Sequence, residues 1–332
     1  MADTAVLTQS SDIDTGIRTI TISDIVSDIV VIFDGIKEFG LVVELVDGQN
    51  EMYDNIDAYM FSGVQVISAR INKTWSRIPN YAFSGCRTLK SIIIPDTINY
   101  IGKGAFQNCN ALEYITLPSN INSLNESVFS GCWSLKNITI PDTVTSIGAM
   151  TFYGCKSLEM LVIPNSVLSI GFNAFSNCYN LKYVNLPSEI TVLETQLFST
   201  CESLETIIIP DKVTEIKTGC FNMCENLKSI ILSQNLEIIG NDAFEQCSSL
   251  TSITFPSTLK TIGSQAFNFC ISLKNIISYA QTAPVLSQND VFKNIYKNGV
   301  LTVLSGTDYS KWMQASSYYL GYYGWIIEYM SE

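Results

Sequence analysis

The sequence predicts a β-rich repeat solenoid of about ten coils. The first observation is a constant spacing, because nine of the ten cysteines are 23 residues apart. They are Cys86, Cys109, Cys132, Cys155, Cys178, Cys201, Cys224, Cys247 and Cys270. The second is that a Phe stands three residues before each of these cysteines and a Leu three residues after it. A single unit of this length cannot bury its apolar residues alone, whereas stacked units bury them as continuous columns.

Each repeat unit reads approximately A-F-x-x-C-x-x-L-x-x-I-x-I-P-x-x-V-x-x-I-G-x-x. The alternation in L-x-x-I-x-I predicts a first strand, and the proline predicts its end because it cannot donate to a continuing ladder. The V-x-x-I-G segment predicts a second short strand. The A-F-x-x-C segment predicts a tight return of one helical turn.

The unit A-F-x-x-C-x-x-L-x-x-I-x-I-P, as at Ala105 to Pro118, resembles the BspA-type leucine-rich repeat family. The resemblance covers about Tyr81 to Ile277, and a degenerate first coil is predicted at Phe61 to Ile78, with Gly63 at the cysteine position. It implies a right-handed leucine-rich-repeat array with N- and C-terminal caps. It also implies surface-exposed binding of host proteins or of other cells.

Three regions are predicted along the chain. Residues 1–60 are an N-terminal cap or docking segment, with strand-like runs at Ile17 to Ile22 and Leu41 to Val46. Residues 61–278 are the solenoid of 23-residue period. Residues 279–332 are a Tyr/Trp-rich C-terminal cap. The aromatic residues from Tyr309 to Tyr329 have two interpretations, because such side chains can plug a solenoid end or contact sugars and proteins.

The composition argues against several classes of function. A net charge of −12 with only 19 basic residues argues against a nucleic-acid partner, because phosphate binding requires clustered Lys and Arg. The chain has no histidine, so Ser-His-Asp, Cys-His and His-metal sites are excluded within it. We therefore predict no enzyme activity, no catalytic residues, no cofactor and no metal. One cysteine per coil between Phe and Leu predicts buried free thiols, with disulfides or metal ligation as the alternative.

The N-terminal residues and the longest apolar runs indicate where the protein is expected to be located. Residues from Met1 to Asp14 lack the basic and apolar regions of a secretory signal, and the longest apolar runs are too short to span a bilayer. We therefore expect no membrane span. The expected location is a virion or a cell surface reached by another route, and otherwise the cytoplasm.

The position four residues after each repeat cysteine carries charges that mostly alternate in sign. The column reads Lys90, Glu113, Lys136, Glu159, Lys182, Glu205, Lys228, Thr251 and Lys274. Stacking would place opposite charges in neighbouring coils, so we predict a structural ladder that fixes the register of the coils.

The positions five and seven residues after each cysteine should point outward from the first strand. The candidate partner-binding residues in these columns are Tyr114, Met160, Tyr183, Ile93, Val162, Ile208 and Ile231. Exposed apolar residues on a continuous sheet indicate a contact surface. The alternative is that another part of the chain, such as residues 1–60, covers them.

These observations predict a non-catalytic binding or adhesion module that presents an extended solenoid surface to a protein or glycan partner. One alternative is a structural component of a bacteriophage particle, such as a tail, fibre or decoration protein, whose partners would be virion proteins. Another is an intracellular protein-interaction scaffold.

Overall fold

The computed structural model describes residues 6–11, 18–23, 41–46, 62–63, 68–71, 73 and 75–330. These residues form a parallel β-solenoid of about 11 turns, which confirms the predicted repeat solenoid. Within them the one helix is a short 3-10 segment, Leu320–Tyr323. We number the coils 1 to 9 after the repeat cysteines, from Cys86 in coil 1 to Cys270 in coil 9.

The front face is the outward surface of the strands that follow each Cys-x-x-Leu segment. Alternation along these strands directs one residue into the core and its neighbours to solvent, as at Met160–Val162, where only Leu161 is buried. The front strands are Ser68–Ile71, Ser91–Ile93, Tyr114–Ile115, Asn137–Ile138, Met160–Val162, Tyr183–Asn185, Thr206–Ile208, Ser229–Ile231, Ser252–Phe255, Asn275–Ser278, Val300–Val303 and Ile326–Tyr329.

The rear face is formed by the second strand of each coil. The rear strands are Arg77–Ile78, Tyr100–Ile101, Ser123–Leu124, Ser146–Ile147, Ser169–Ile170, Val192–Leu193, Glu215–Ile216, Ile238–Ile239, Thr261–Ile262 and Val285–Leu286. Each pairs in parallel with a rear strand of an adjacent coil, as Ser146 does with Ser123 and Ser169. Both predicted strands of the unit are therefore present.

The third side of each coil, which we call the turn face, is formed by the A-F-x-x-C segment. Its structure differs from the predicted helical return. Cys109 N–H donates to the Phe106 carbonyl within its own turn, but Phe106 and Asn108 donate to the Val128 and Ser130 carbonyls of the next coil. In a helix, these N–H groups would donate to carbonyls of the same helix. The prediction of a helical turn is wrong because the stacked turns bond to each other, so hydrogen bonds join the coils on all three sides.

Two residues of each turn adopt a left-handed backbone to make this bonding possible. They stand five and one residues before the repeat cysteine, as Met150 with φ 55° and Gly154 with φ 70° do in coil 4. Left-handed backbone favours Gly and Asn, yet Thr200 holds φ 62°. The coil-to-coil bonds therefore override local preference at these positions.

The core consists of stacked columns. The phenylalanine rings stack from Phe83 to Phe292, with neighbouring centroids 5.3–5.8 Å apart and interplanar angles of at most 17°. The repeat cysteines and the leucines three residues after them are all fully buried. The predicted inward assignment of these columns is confirmed.

Gly63 corrects the alignment of the degenerate first coil. Its φ is 75°, its N–H donates to the Ser84 carbonyl, and it lies beside Gly85. It is therefore the counterpart of Gly85, the left-handed residue before Cys86, and not of the cysteine. The spacing of 22 residues between the two glycines matches the spacing between Phe61 and Phe83.

The two ends extend the front sheet. Arg18–Ser23 pairs in parallel with Leu41–Val46, and Leu41–Val46 with Ser68–Ile71, while Val6–Ser11 lies antiparallel at the edge. These strands confirm the two strand-like runs predicted before residue 60 to within one residue. At the other end, Val300–Val303 and Ile326–Tyr329 continue the sheet in parallel.

Candidate functional site

The seven predicted partner-binding residues all lie on the front face with their side chains exposed. Their exposed fractions range from 49% at Tyr183 to 65% at Ile208. Each sits beside a buried residue of the same strand, as Ile93 beside Ile92 and Tyr114 beside Ile115. The outward orientation is therefore as predicted, and their role in binding stays a prediction.

The strand register brings five of the seven residues together. Met160 lies directly beside Tyr183, and Ile208 beside Ile231. With Val162 these residues are the exposed apolar side chains of coils 4 to 7, which we call the central patch; the polar residues Asn185, Thr206 and Ser229 lie among them. The other two, Ile93 and Tyr114, lie in coils 1 and 2.

Coil 3 separates these two residues from the central patch. It presents Asn137 and Thr139, and a shallow depression there is lined by Ser91, Tyr114, Thr116, Asn137 and Thr139. The candidate residues therefore fall into two groups, one in coils 1 and 2 and one in coils 4 to 7, and do not form a uniform stripe.

The front face carries no charged side chain over nine coils. Its two outward positions in each of coils 1 to 9 hold only Ser, Thr, Asn, Ile, Val, Met and Tyr. Charge depletion with enrichment in Tyr and Met is typical of the centre of a protein interface, whose rim is polar.

The charged column four residues after the cysteines borders this face. Lys136 Nζ lies 2.7 Å from Glu113, Lys182 Nζ 3.3 Å from Glu159, and Lys228 Nζ 2.9 Å from Glu205. The predicted ladder is confirmed at these places, and each Glu pairs with the Lys of the following coil. The hydrogen bond and charge of Lys136 hold the pKa of Glu113 below its ordinary value. Because these side chains are exposed, the ladder sets register more than it adds stability.

A second surface group was not predicted from the sequence. The Lys156 ammonium lies 4.5 Å from the centroid of the Trp133 ring and 5.7 Å from that of Tyr179. These residues stand one position after their cysteines in coils 3 to 5. Reading that column along the sequence would have found the aromatic–cation–aromatic order, since stacking makes column neighbours into contacts.

The cysteines do not form a reactive or metal-binding site. All ten are free and buried, which confirms the predicted thiols. Cys178 Sγ donates to the Phe152 carbonyl at 3.2 Å, and the same bond recurs from coil to coil. Burial raises the pKa of Cys178 to about 12, so its nucleophilic thiolate is scarce at neutral pH. In the described part of the chain, no group of His, Cys, Asp or Glu is arranged to hold a metal ion.

The C-terminal aromatic residues divide into buried and exposed members. Trp312 packs against Phe292 at the end of the ring column and donates to the Pro284 carbonyl. Tyr309 is buried and donates to Ser278, whereas Tyr322 and Tyr329 are more than half exposed. The buried members fit the predicted cap and the exposed ones leave the contact interpretation open. Among the residues that the structure describes, no helix is long and apolar enough to cross a bilayer.

Comparisons with known proteins identify relatives of the repeat. A family model described as BspA type leucine rich repeat region matches residues 54–182 and 168–297, with six copies. A solved leucine-rich repeat protein from Bacteroides ovatus is 27% identical with a TM-score of 0.65, covering 91% of this chain and 70% of that chain.

Two more distant structures are similar in fold alone. A leucine-rich repeat protein from Eubacterium ventriosum is 20% identical with a TM-score of 0.52, covering 91% of this chain and 76% of its own. The pneumococcal vaccine antigen PcpA is 18% identical with a TM-score of 0.51, covering 96% of this chain and 90% of its own. The comparison with curated proteins gives no match.

Proposed function

Because the chain belongs to the BspA-type leucine-rich repeat family, we propose that it is a non-catalytic binding or adhesion module whose front face contacts a protein or glycan partner at a cell surface. The observation that carries the proposal is the charge-free front face with its exposed central patch. Formation of an interface removes water from both surfaces. Removing water from Ile, Val, Met and Tyr side chains is favourable, whereas removing it from an ion is costly.

The lack of histidine in the sequence supports the non-catalytic part of the proposal. The deeply buried thiols support it too, since burial removes the nucleophile that the cysteines would otherwise supply. No observation favours the virus-particle or the intracellular-scaffold hypothesis over adhesion.

For residues 1–60 we propose a capping role. The antiparallel pairing of Val6–Ser11 with Arg18–Ser23 supports it, because a strand of opposite direction interrupts the parallel stack at its edge. If residues 1–60 instead docked the protein to a larger assembly, deleting them would leave a folded array that no longer joins that assembly.

Binding of the fluorescently labelled protein to cultured epithelial cells tests the function. The proposal predicts saturable binding, measured by flow cytometry, that unlabelled protein competes away. Treating the cells with protease or with glycosidases then separates a protein partner from a glycan partner. Absence of saturable binding would contradict adhesion.

A matched pair of variants within coil 4 tests the face. Val162 on the front face and Leu168 beside the rear strand Ser169–Ile170 are both 60% exposed aliphatic residues. We expect Val162→Lys to weaken cell binding about tenfold or more, because it places a charge in the interface centre. Leu168→Lys should leave binding unchanged. Equal effects of the two variants would show that the front face is not the contact surface.

A further inference from the structure

The depression over coils 1 to 3 places one exposed aromatic ring among polar side chains. Tyr114 is 54% exposed, and the strand register sets it beside Ser91 of coil 1 and Asn137 of coil 3. Adjacent strands are about 4.8 Å apart, so a ligand that covers the ring can reach both neighbours. Thr116 and Thr139 line the same depression two residues further along their strands. Hydroxyl and amide groups therefore surround the ring.

The polar groups of the depression are not used by the fold. Within the described part of the chain, no side-chain hydrogen bond to another residue is made by Ser91, Thr116, Asn137 or Thr139. By contrast, the front-face residue Asn185 donates to the Ile163 carbonyl at 3.0 Å and accepts from the Ile163 N–H at 2.8 Å. The donors and acceptors around Tyr114 are therefore available to a ligand, whereas those of Asn185 are already occupied.

Contacts at the border of the depression hold the tyrosine ring. The Lys136 ammonium lies 5.5 Å from the centroid of the Tyr114 ring and 2.7 Å from the carboxylate of Glu113. These contacts restrict the rotation of the tyrosine side chain, which nevertheless remains more than half exposed. A side chain that is already ordered loses less conformational entropy when a ligand binds.

The lining of the depression favours an uncharged ligand. All residues that line it are uncharged. Lys90, Glu113 and Lys136 border it without lining it, and Glu113 and Lys136 are paired with each other. An ionised group that entered the depression would lose water without meeting an opposite charge in the lining, which is costly.

The other exposed tyrosine of the same column has different surroundings. Tyr183 lies beside Met160, and the nearby Asn185 is bonded to the backbone of the preceding coil. These surroundings suit an apolar contact. The surroundings of Tyr114 combine one aromatic ring with several free hydroxyl and amide groups, and this combination suits a ligand that has both an apolar surface and many hydroxyl groups.

We propose that the depression around Tyr114 is a binding site for a neutral pyranose sugar of a glycan. A pyranose ring has an apolar face of C–H groups and a rim of hydroxyl groups. Tyr114 stacks on the C–H face, and Ser91, Asn137 and the two threonines bond to the rim. The inference rests on the proposed function, because it names the ligand class for one part of the front face.

The size of the site predicts weak binding. The depression has a volume of about 370 Å³, which is at the low end of the range of roughly 300–1,000 Å³ for small-molecule sites. It is also shallow, so much of the sugar stays in water. We therefore expect a dissociation constant on the order of 1 mM for a disaccharide.

Saturation-transfer difference NMR of the full chain tests the site, because it detects binding in the millimolar range. The probes are cellobiose, lactose, mannobiose and diacetylchitobiose, with sialyllactose as the acidic counterpart of lactose. We expect a saturable signal from at least one neutral disaccharide. The signal should be lost in Tyr114→Ser, which removes the stacking ring.

Matched variants separate the site from the rest of the front face. Tyr183→Ser removes a tyrosine of the same column with nearly the same exposure, 49%, and should leave sugar binding unchanged. Tyr114→Phe keeps the ring and should retain binding. Thr116→Val removes one hydroxyl at almost constant shape and should weaken binding about fivefold, as the loss of one hydrogen bond does. Circular dichroism of each variant verifies that it is folded.

Four outcomes overturn the proposal. They are no saturable signal from any neutral disaccharide, binding that Tyr114→Ser leaves intact, equal losses in Tyr114→Ser and Tyr183→Ser, and binding of sialyllactose without lactose or any other neutral probe. If Tyr114→Ser loses cell binding while no sugar gives a signal, the ligand at Tyr114 is a protein and the sugar site is wrong.

The proposed function fails separately. If no sugar binds while Val162→Lys still loses cell binding, the sugar site is wrong and the binding face stands. If a neutral disaccharide binds through Tyr114 while the labelled protein does not bind cells, adhesion is wrong and the sugar site stands.

Discussion

At the scale of single residues, the turn face contains the strained positions of the fold. Two left-handed residues per turn let alternate N–H groups bond to the next coil, and several of them are neither Gly nor Asn. The sequence could not predict this conformation, because residues as different as Gly154, Thr200 and Met223 occupy one column. The left-handed conformation persists because it directs these N–H groups toward carbonyls of the next coil.

Relieving that strain should stabilise the protein. Thr200 is β-branched with φ 62°, whereas Asn108 and Asn177 occupy the same column of other coils. We expect Thr200→Asn to raise the free energy of unfolding in urea by about 1 kcal/mol, because Asn tolerates left-handed backbone. The control is Thr191→Asn, at an exposed position outside the turns, which should change stability by less than about 0.5 kcal/mol. A loss of stability in Thr200→Asn would mean that the left-handed turns cost little.

The buried thiols predict a steep loss of stability at alkaline pH. Burial raises the pKa of Cys178 and Cys224 to about 12, while an unfolded thiol titrates near its ordinary value of 9.0. The folded state therefore binds more protons above that value. The stabilisation from a buried thiol is complete below the pKa of the thiol in the unfolded chain. It is lost as the pH rises through the pKa of the thiol in the folded protein. Each thiol contributes a slope of about −1.4 kcal/mol per pH unit in this window.

Urea unfolding at several pH values between 9 and 11 measures this slope. Replacing Cys132, Cys178 and Cys224 by Ala should make it shallower by about 4 kcal/mol per pH unit. The two proteins differ only at these three positions, so the difference between their slopes isolates the three thiols. An unchanged slope would show that these thiols are accessible in the folded state.

At the scale of the repeat element, stacking decides which positions matter. The columns of Phe, Cys, Leu and Ile could be assigned inward from periodicity alone, because a 23-residue unit buries what recurs in every coil. The charge ladder could be predicted for the same reason. The hydrogen bonds from thiols to carbonyls, as from Cys178 to Phe152, could not be predicted, because each joins residues 26 positions apart and the 23-residue spacing does not show where a carbonyl points.

A charge inserted into a column should unfold the array, whereas one on the front face should not. Leu158 is fully buried and Thr139 is exposed. We expect Leu158→Asp to abolish cooperative thermal unfolding, because an unpaired buried carboxylate costs several kcal/mol. Thr139→Asp should keep the native melting temperature to within about 3 °C. Similar melting of both variants would contradict the inward and outward assignment.

Reversing one charge of the ladder should destabilise the fold in a salt-dependent way. Glu159→Lys removes the pair with Lys182 and places three ammonium groups in successive coils. Its melting temperature should fall most at low ionic strength and approach the native value in high salt, because exposed charges are screened. A deficit that salt does not change would mean that Glu159 acts through packing instead.

At the scale of the whole molecule, the sequence predicted the solenoid, its period and the strand positions, because repetition reports stacking directly. It also predicted which side chains point outward on the front face. Their grouping into a central patch across coils 4 to 7 required the strand register, which places Met160 beside Tyr183. The residue types of the core columns are explained by the stacking of the coils alone, so they do not indicate which partner binds.

The central claim is that the front face is the surface that touches the partner, and site-specific photocrosslinking on cells tests it most directly. Tyr183 on the front face and Phe172 outside it are aromatic residues with nearly equal exposure, 49% and 48%. Each would be replaced singly by p-benzoylphenylalanine in the labelled protein. We expect crosslinks to the cell-surface partner from position 183, and none from position 172. Crosslinks from position 172 alone, or from neither position while the protein stays bound to cells, would contradict the account.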